Sequence, residues 1–362
     1  MNIQQIHVRK DDISDANLVH VGLPDLPDGA VRLKIESFSI TSNNVTYAVV
    51  GDGFKYWDFF PAPDGFGIVP VWGHAQVVES NHPDIAVGER VYGYLPMATH
   101  LDVFPGKISA SGFADTADHR QLMSPIYNQY TRLSADPDHE PAREGERMIF
   151  GPLFKTGFLI EYFMRDQEWF GAEKLILTSA SSKTAMGLAS VAKQRSPQIK
   201  RVGLTSAANV EFVEATGLYD QVYGYESVGL LTIAPSVLVD FAGNAALLAK
   251  VHEHFGDTLR YSCLVGATHV DERGSGGLTQ DRGLPGPTPT LFFAPDHAVS
   301  FFQKHGPAEG GKLVGESWRG FLDAAKNTVQ IETRKGLGAA ETTFVAMARG
   351  EVDPAQGIVI EL

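Results

Sequence analysis

The chain has 362 residues, 43% of them hydrophobic and 20% charged, which is the balance of a water-soluble globular protein long enough for two lobes. A net charge of −13 excludes nucleic acid and anionic membranes as partners, because both repel an acidic surface. The single Cys263 excludes an internal disulfide and a cysteine zinc cage, and the polar start and short apolar runs point to a cytoplasmic protein without membrane spans.

In chain order, residues 31–38 alternate apolar and polar with period two and predict a half-buried strand. A loop of aromatics follows, carrying Tyr47, Phe54, Tyr56, Trp57, Phe59 and Phe60 between Gly51, Gly53, Pro61 and Pro63. Strands are expected over 69–80 and 90–95, with the turn Val87-Gly88-Glu89 between them. Residues 97–148 are irregular and rich in His and Asp; they predict long loops ending in an acidic connector near 136–146. A helix is expected over 152–168.

The most informative stretch is 174–205. Residues 174–178 form a short apolar run that predicts a buried strand, and Ser179 to Ala185 form a turn of small and polar residues. The pattern is helical from Met186 until Arg195-Ser196-Pro197 stops it, and a second buried strand follows at 201–205. This is a βαβ crossover whose turn opens a helix N-terminus, where backbone N–H groups can hold a pyrophosphate. The turn lacks the usual glycine fingerprint and keeps only Gly187, expected where helix and sheet pack closely. Ser181, Ser182, Lys183, Thr184 and Ala185 still offer small side chains, hydroxyls and a positive charge; an ordinary capped strand-to-helix turn would use the same residue types. Lys183-Thr184 has no spaced glycines before it, so a P-loop is rejected.

Further strands are expected near 221–223, 237–241, 260–265 and 290–293, separated by helices as in a doubly wound parallel sheet. Residues 271–289 read as a Gly/Pro-rich connector, 296–304 and 315–325 as two helices, and the tail as strand, helix, strand. The predicted division is a β-rich domain of residues 1–135 and 326–362 and an α/β nucleotide-binding domain of residues 136–325.

This ordered set resembles the medium-chain dehydrogenase/reductase superfamily, in its zinc-independent quinone and enoyl reductase branch. The resemblance rests on Gly73-His74-Ala75, Val87-Gly88-Glu89-Arg90-Val91, Phe154-Lys155-Thr156-Gly157-Phe158, Asp240-Phe241-Ala242-Gly243 and the closing strand after Gly350. It implies a GroES-like β-rich catalytic domain and a Rossmann domain, a homodimer, and no catalytic zinc. His74 stands at a histidine position used by the zinc enzymes, but Ala75 replaces their Glu and the thiolates are missing. His74 is instead expected to be a hydrogen-bonded residue on the floor of the site.

The resemblance also implies a nicotinamide cofactor, with Lys155 and Thr156 at its ribose and carboxamide and with Phe241, Gly243 and Gly266 at strand ends beside it. After the second strand no carboxylate appears before Glu211, so Thr205, Ser206 and Asn209 suit a 2′-phosphate, with charge from Lys183 or Arg201, and NADP(H) is expected over NAD. A helix cap at Ser206 would fit either dinucleotide. Metal-free hydride transfer to a conjugated carbonyl or quinone then needs a donor at the developing enolate oxygen. Tyr56 and Tyr47 are the candidates, with Asn44 as a polar neighbour; the same rings could simply pack together. A non-redox isomerase or lyase, or a dinucleotide sensor, remains the alternative on this frame.

Overall fold

The computed structural model describes residues 2–121, 123–265, 283–326 and 328–362. The chain divides into two compact units, Met1–Ile149 with Gln330–Leu362, and Phe150–Val329.

The first unit is built on a nine-stranded sheet among the described residues, mostly antiparallel, beside a smaller three-stranded one. Its central strand, Val31–Ile40, pairs antiparallel with Pro70–Ser80 on one side and with the closing strand Gln356–Glu361 on the other. The period-two pattern puts Val31, Leu33 and Ile35 into one core with Val71, Val77, Ile358 and Phe344, and a register shift between Ile35 and Ser37 lets Phe38 join them. The stretch read as loops contains four strands, His100–Val103, Pro105–Ser109, Gly112–Asp115 and Gln129–Arg132. These strands are short, and His100, Asp102 and Asp115 within them mask the alternation. The fully buried Arg120 holds them together, donating to Asp115, Asn128, Tyr130 and the Tyr127 carbonyl at 2.8–3.0 Å.

The second unit holds a six-stranded parallel sheet among the described residues. Its order is Gln221–Gly224, Lys200–Thr205, Lys174–Leu177, Ser236–Asp240, Leu259–Leu264, Thr290–Leu291. In chain order that is 3-2-1-4-5-6, the doubly wound arrangement whose direction reverses beside the first strand. The central strands Lys200–Thr205, Lys174–Leu177 and Ser236–Asp240 are largely buried runs covered by helices, including Lys183–Arg195 and Ala245–Phe255. The two helices expected within 296–325 are one assigned segment, Ala294–Ala325, broken at Gly306 (φ 74°) before Pro307.

The chain passes between the units inside the helix Glu144–Asp166, which starts eight residues before Pro152. Proline favours a helix's first turn, so local reading begins the helix there. The missing Pro152 N–H leaves the Met148 carbonyl without its helical donor, and the Ser39 hydroxyl donates to it at 2.7 Å. Among the described residues no helix is long and apolar enough to cross a membrane.

Candidate functional site

At the C-terminal end of the Lys174–Leu177 strand, beside the reversal of strand order, the turn from Thr178 to Ser182 leads into the helix Lys183–Arg195. Ser182 is the N-cap, its hydroxyl accepting from Ala185 N at 3.3 Å, so the helix begins three residues before the apolar pattern does. Ser179 adopts φ 47°, the left-handed conformation that a glycine would adopt more easily. Close backbone approach survives without glycines because Ala180 fills the space under the turn: a Cβ built on Gly203 would lie 3.0 Å from the Ala180 methyl. Tyr219 OH donates to Ala180 O at 2.8 Å and fixes the turn from below.

The sequence-predicted residues of this unit largely converge. Ser181 Oγ accepts from Thr205 Oγ1 at 3.4 Å and from Asn209 Nδ2 at 3.3 Å, joining the turn to the end of the second strand. Ser206 caps the short turn Ala207–Asn209. Thr178 is a residue that sequence reading missed. Its hydroxyl donates to Asp240 at 2.5 Å and accepts from the Phe241 and Ala242 N–H groups at 2.9 and 3.0 Å. That bridge brings Phe241 and Gly243 (φ 64°) beside the turn. Thr178 closes the predicted apolar strand with a hydroxyl, the one sequence signal for its role. Lys155 is exposed and Thr156 half-buried on the helix Glu144–Asp166, where Thr156 Oγ1 donates to Pro152 O at 3.3 Å. Gly266 lies outside the described residues.

Two expectations need correction here. Arg201 is buried and committed to Asp220 at 2.8 Å and to the Leu218 and Ile199 carbonyls, so it has no charge to spare for a phosphate. Gly187 packs on the helix Glu144–Asp166 and not on the sheet: its Cβ would lie 3.2 Å from Phe154 Cα, while one on Gly157 would lie 2.5 Å from Leu188 N. The paired glycines let these two helices touch backbone to backbone.

In the first unit the aromatic residues form a buried cluster. Tyr47 lies on the helix Ser42–Val49 and Tyr56 on the single turn Tyr56–Asp58, their rings 4.6 Å apart. Tyr127 packs on both, and Tyr94 packs on Tyr47 and Tyr127. Trp72 Nε1 donates to Tyr47 OH at 3.2 Å, and Tyr56 OH lies 3.0 Å from Tyr127 OH. An indole N–H can only donate, so the Tyr47 oxygen accepts there and keeps its own proton for another acceptor. Burial pushes the Tyr47 hydroxyl up from its ordinary pKa, opposed by hydrogen bonds from Trp72 and Asn43; burial raises Tyr56 as well. Both are neutral donors at physiological pH. Trp72, Tyr94 and Tyr127 escaped sequence reading because they are distant in the chain and only the fold brings them together, whereas Asn43 stands one helical turn before Tyr47. Asn44 is taken up by the fold: its carbonyl accepts from Thr41 N at 2.7 Å and its amide donates to Pro70 O at 2.8 Å.

His74 corrects a further expectation. It is fully buried, and among the described residues neither ring nitrogen has a hydrogen-bond partner. Glu144 Oε2 is 4.0 Å from Nδ1, and Glu144 is itself bound by Arg90 at 2.9 Å and by His139 at 2.8 Å. Burial lowers His74 to about 3. Burial works to raise Glu144, but its bonds from Arg90 and His139 hold it down at about 2. Among the described residues no group of three or more His, Cys, Asp or Glu side chains is arranged to hold a metal ion. Cys263 is fully buried and burial raises its thiol, leaving it inert.

Solved structures share this architecture. CurA from Vibrio vulnificus in complex with NADPH superimposes with a TM-score of 0.63 at 13% identity, covering 99% of this chain and 98% of that one. The yhdH oxidoreductase from Salmonella enterica in complex with NADP gives 0.57 at 12% identity, covering 99% of each chain. The quinone oxidoreductase from Coxiella burnetii gives 0.53 at 14% identity, covering 100% of each. The chain therefore shares the fold of these oxidoreductases. No curated protein matches the chain. Residues 38–353 match the family described as "Protein of unknown function (DUF2855)", and the chain belongs to that family.

Proposed function

We propose that the chain is an NADP(H)-dependent oxidoreductase that reduces a small conjugated carbonyl compound or quinone. The observation that carries this reading is the turn Thr178–Ser182 at the reversal of a 3-2-1-4-5-6 sheet, opening a helix N-terminus with no carboxylate nearby from Thr205 to Asn209. The residues present suit a dinucleotide. Lys183 and Thr184 begin the helix and would turn their N–H groups and the Lys183 charge toward a pyrophosphate, with Ser181 offering a hydroxyl beside them, while Ser182 and the Ala185 N–H hold the cap and place Ala185 close to the phosphates. Thr205, Ser206 and Asn209 would receive the adenosine ribose and its 2′-phosphate. Phe241 and Gly243 would border the nicotinamide side, and Lys155 and Thr156 would hold its ribose and carboxamide. The structures of CurA with NADPH and of the yhdH oxidoreductase with NADP, which share the fold, support this reading.

When bound, the reduced cofactor supplies hydride from its nicotinamide C4. The chain's own task is to stabilise the negative charge that hydride addition leaves on the substrate oxygen. Tyr47, neutral and with its oxygen occupied by Trp72, would donate its proton there; Tyr56, paired with Tyr127, is the second donor. The flat rings around them suit an apolar, planar substrate. The test is NADPH oxidation against a panel of enones and quinones. Turnover of at least one is expected, and none turned over by protein that binds NADPH would refute the reductase reading.

A further inference from the structure

A cavity of about 190 Å³ lies within the first unit, on the far side of Phe59 and Phe60 from the tyrosines. Its walls are apolar, with Leu23, Ile68 and Leu101 facing the two phenylalanines, and His100 and His119 line it as well. None of Tyr47, Tyr56, Tyr94 or Tyr127 lines it, so it is distinct from the site proposed above. We propose that this cavity binds a neutral single-ring phenol.

Size sets the first limit. Apolar cavities near 150 Å³ accept benzene, so about 190 Å³ fits one ring with a small substituent. Charge sets the second. Arg120 lines the cavity but is spent on Asp115, Asn128, Tyr130 and the Tyr127 carbonyl, so nothing there holds an anion; the other charged lining groups are Asp102 and Asp115. Neither is open to a cation: both Asp102 oxygens accept from Arg32 at 2.7 and 2.8 Å, and Asp115 accepts from Arg120, Phe104 N and Ala117 N.

His119 supplies the hydroxyl recognition, because its partner fixes its tautomer. His100 Nδ1 lies 3.0 Å from Thr99 Oγ1, which also accepts from Gln4 N at 3.1 Å. His119 Nε2 faces the Phe59 carbonyl at 3.2 Å, and a carbonyl only accepts, so Nε2 carries the proton and Nδ1 is a bare acceptor. The cavity thus carries an imidazole acceptor on His119, the complement of a phenol's O–H donor. Phe59 packs on Tyr56, Tyr94 and Tyr127 at 5.1–6.2 Å between ring centres, so an occupant would rest on the back of the tyrosine cluster.

The experiment is calorimetric titration of the full chain, without dinucleotide, with 4-methylphenol, toluene and 4-methylbenzoate, repeated on Leu23→Trp, which narrows the cavity. The phenol is expected to bind, toluene to bind about tenfold more weakly for want of the hydroxyl, and the benzoate not at all. Leu23→Trp should weaken the phenol about tenfold or more while its melting temperature stays near that of the wild type. The histidine ring resonances of the wild-type protein give a second readout. Those of His100 and His119, assigned by His100→Gln and His119→Gln, should move with the phenol. No binding, equal binding of toluene and phenol, or shifts confined to other histidines would overturn the proposal. NADPH binding is measured separately, so its outcome does not bear on this one.

Discussion

Around the turn after Lys174–Leu177 the polar groups are short, and each is satisfied by a neighbour. Ser181 is shared by Thr205 and Asn209, Ser182 caps its own helix, and Thr178 joins three groups at the end of the Ser236–Asp240 strand. In the first unit the polar atoms are the tips of large buried rings, their partners are other ring tips, and His74 has none among the described residues. Short polar side chains leave backbone N–H groups open to a polyanion. Buried phenols keep their protons and hold them against an oxygen that becomes charged. The first arrangement suits recognition and the second suits proton donation, and their tolerance to substitution should differ accordingly.

The largest expected effect separates the two tyrosines. Tyr47→Phe should lower kcat about 100-fold with NADPH affinity unchanged, while Tyr56→Phe should cost less than about tenfold. Equal activity in both variants would leave the rings a packing role only. Next comes a stability test of the second unit. Gly157→Ala places a methyl 2.5 Å from Leu188 N and should destabilise by about 2–3 kcal/mol, read as a lowered Tm. An unchanged Tm would mean that the two helices can separate without loss.

A smaller effect is expected at the end of the second strand. Ser206 makes no side-chain cap bond at the turn Ala207–Asn209, so Ser206→Asp breaks none, yet it sets a carboxylate where the 2′-phosphate is proposed to lie. NADPH should bind about tenfold more weakly and NADH no worse. A uniform loss for both would point to damage and not to selectivity. The smallest effect is on pH dependence. His74 is depressed from 6.5 to about 3, so its contribution to stability is present above pH 6.5 and lost as pH falls toward 3. Glu144, depressed from 4.5 to about 2, adds a second loss below pH 4.5. His74→Asn should flatten the upper part of the acid slope, by up to about 1.4 kcal/mol per pH unit. A slope identical to wild type between pH 6 and 5 would show that His74 is not buried neutral.

How much of this was legible in the sequence follows from how local each cause is. Buried parallel strands and period-two strands announce themselves, and the parallel order was implied by strand–helix alternation. The early start of the helix Glu144–Asp166 was hidden because its irregular carbonyl is satisfied by Ser39, 109 positions away. The strands between His100 and Arg132 were hidden because a single buried arginine, Arg120, organises residues that look like loop. Ser181, Thr205 and Asn209 could be nominated from spacing within one βαβ unit. Trp72 and Tyr127 could not, since only the tertiary fold brings them to Tyr47 and Tyr56; Asn43, one helical turn before Tyr47, was within reach of local reading. His74 drew attention by its position, but nothing in its neighbours along the chain foretold that it would be buried without a partner.

The most direct test of the central claim is titration of the purified chain with NADPH and with NADH by calorimetry. Saturable binding of NADPH, at least about tenfold tighter than NADH, is the result expected from a carboxylate-free strand end and an open helix N-terminus. Binding of neither dinucleotide would contradict the account, and the reductase reading would fall with it.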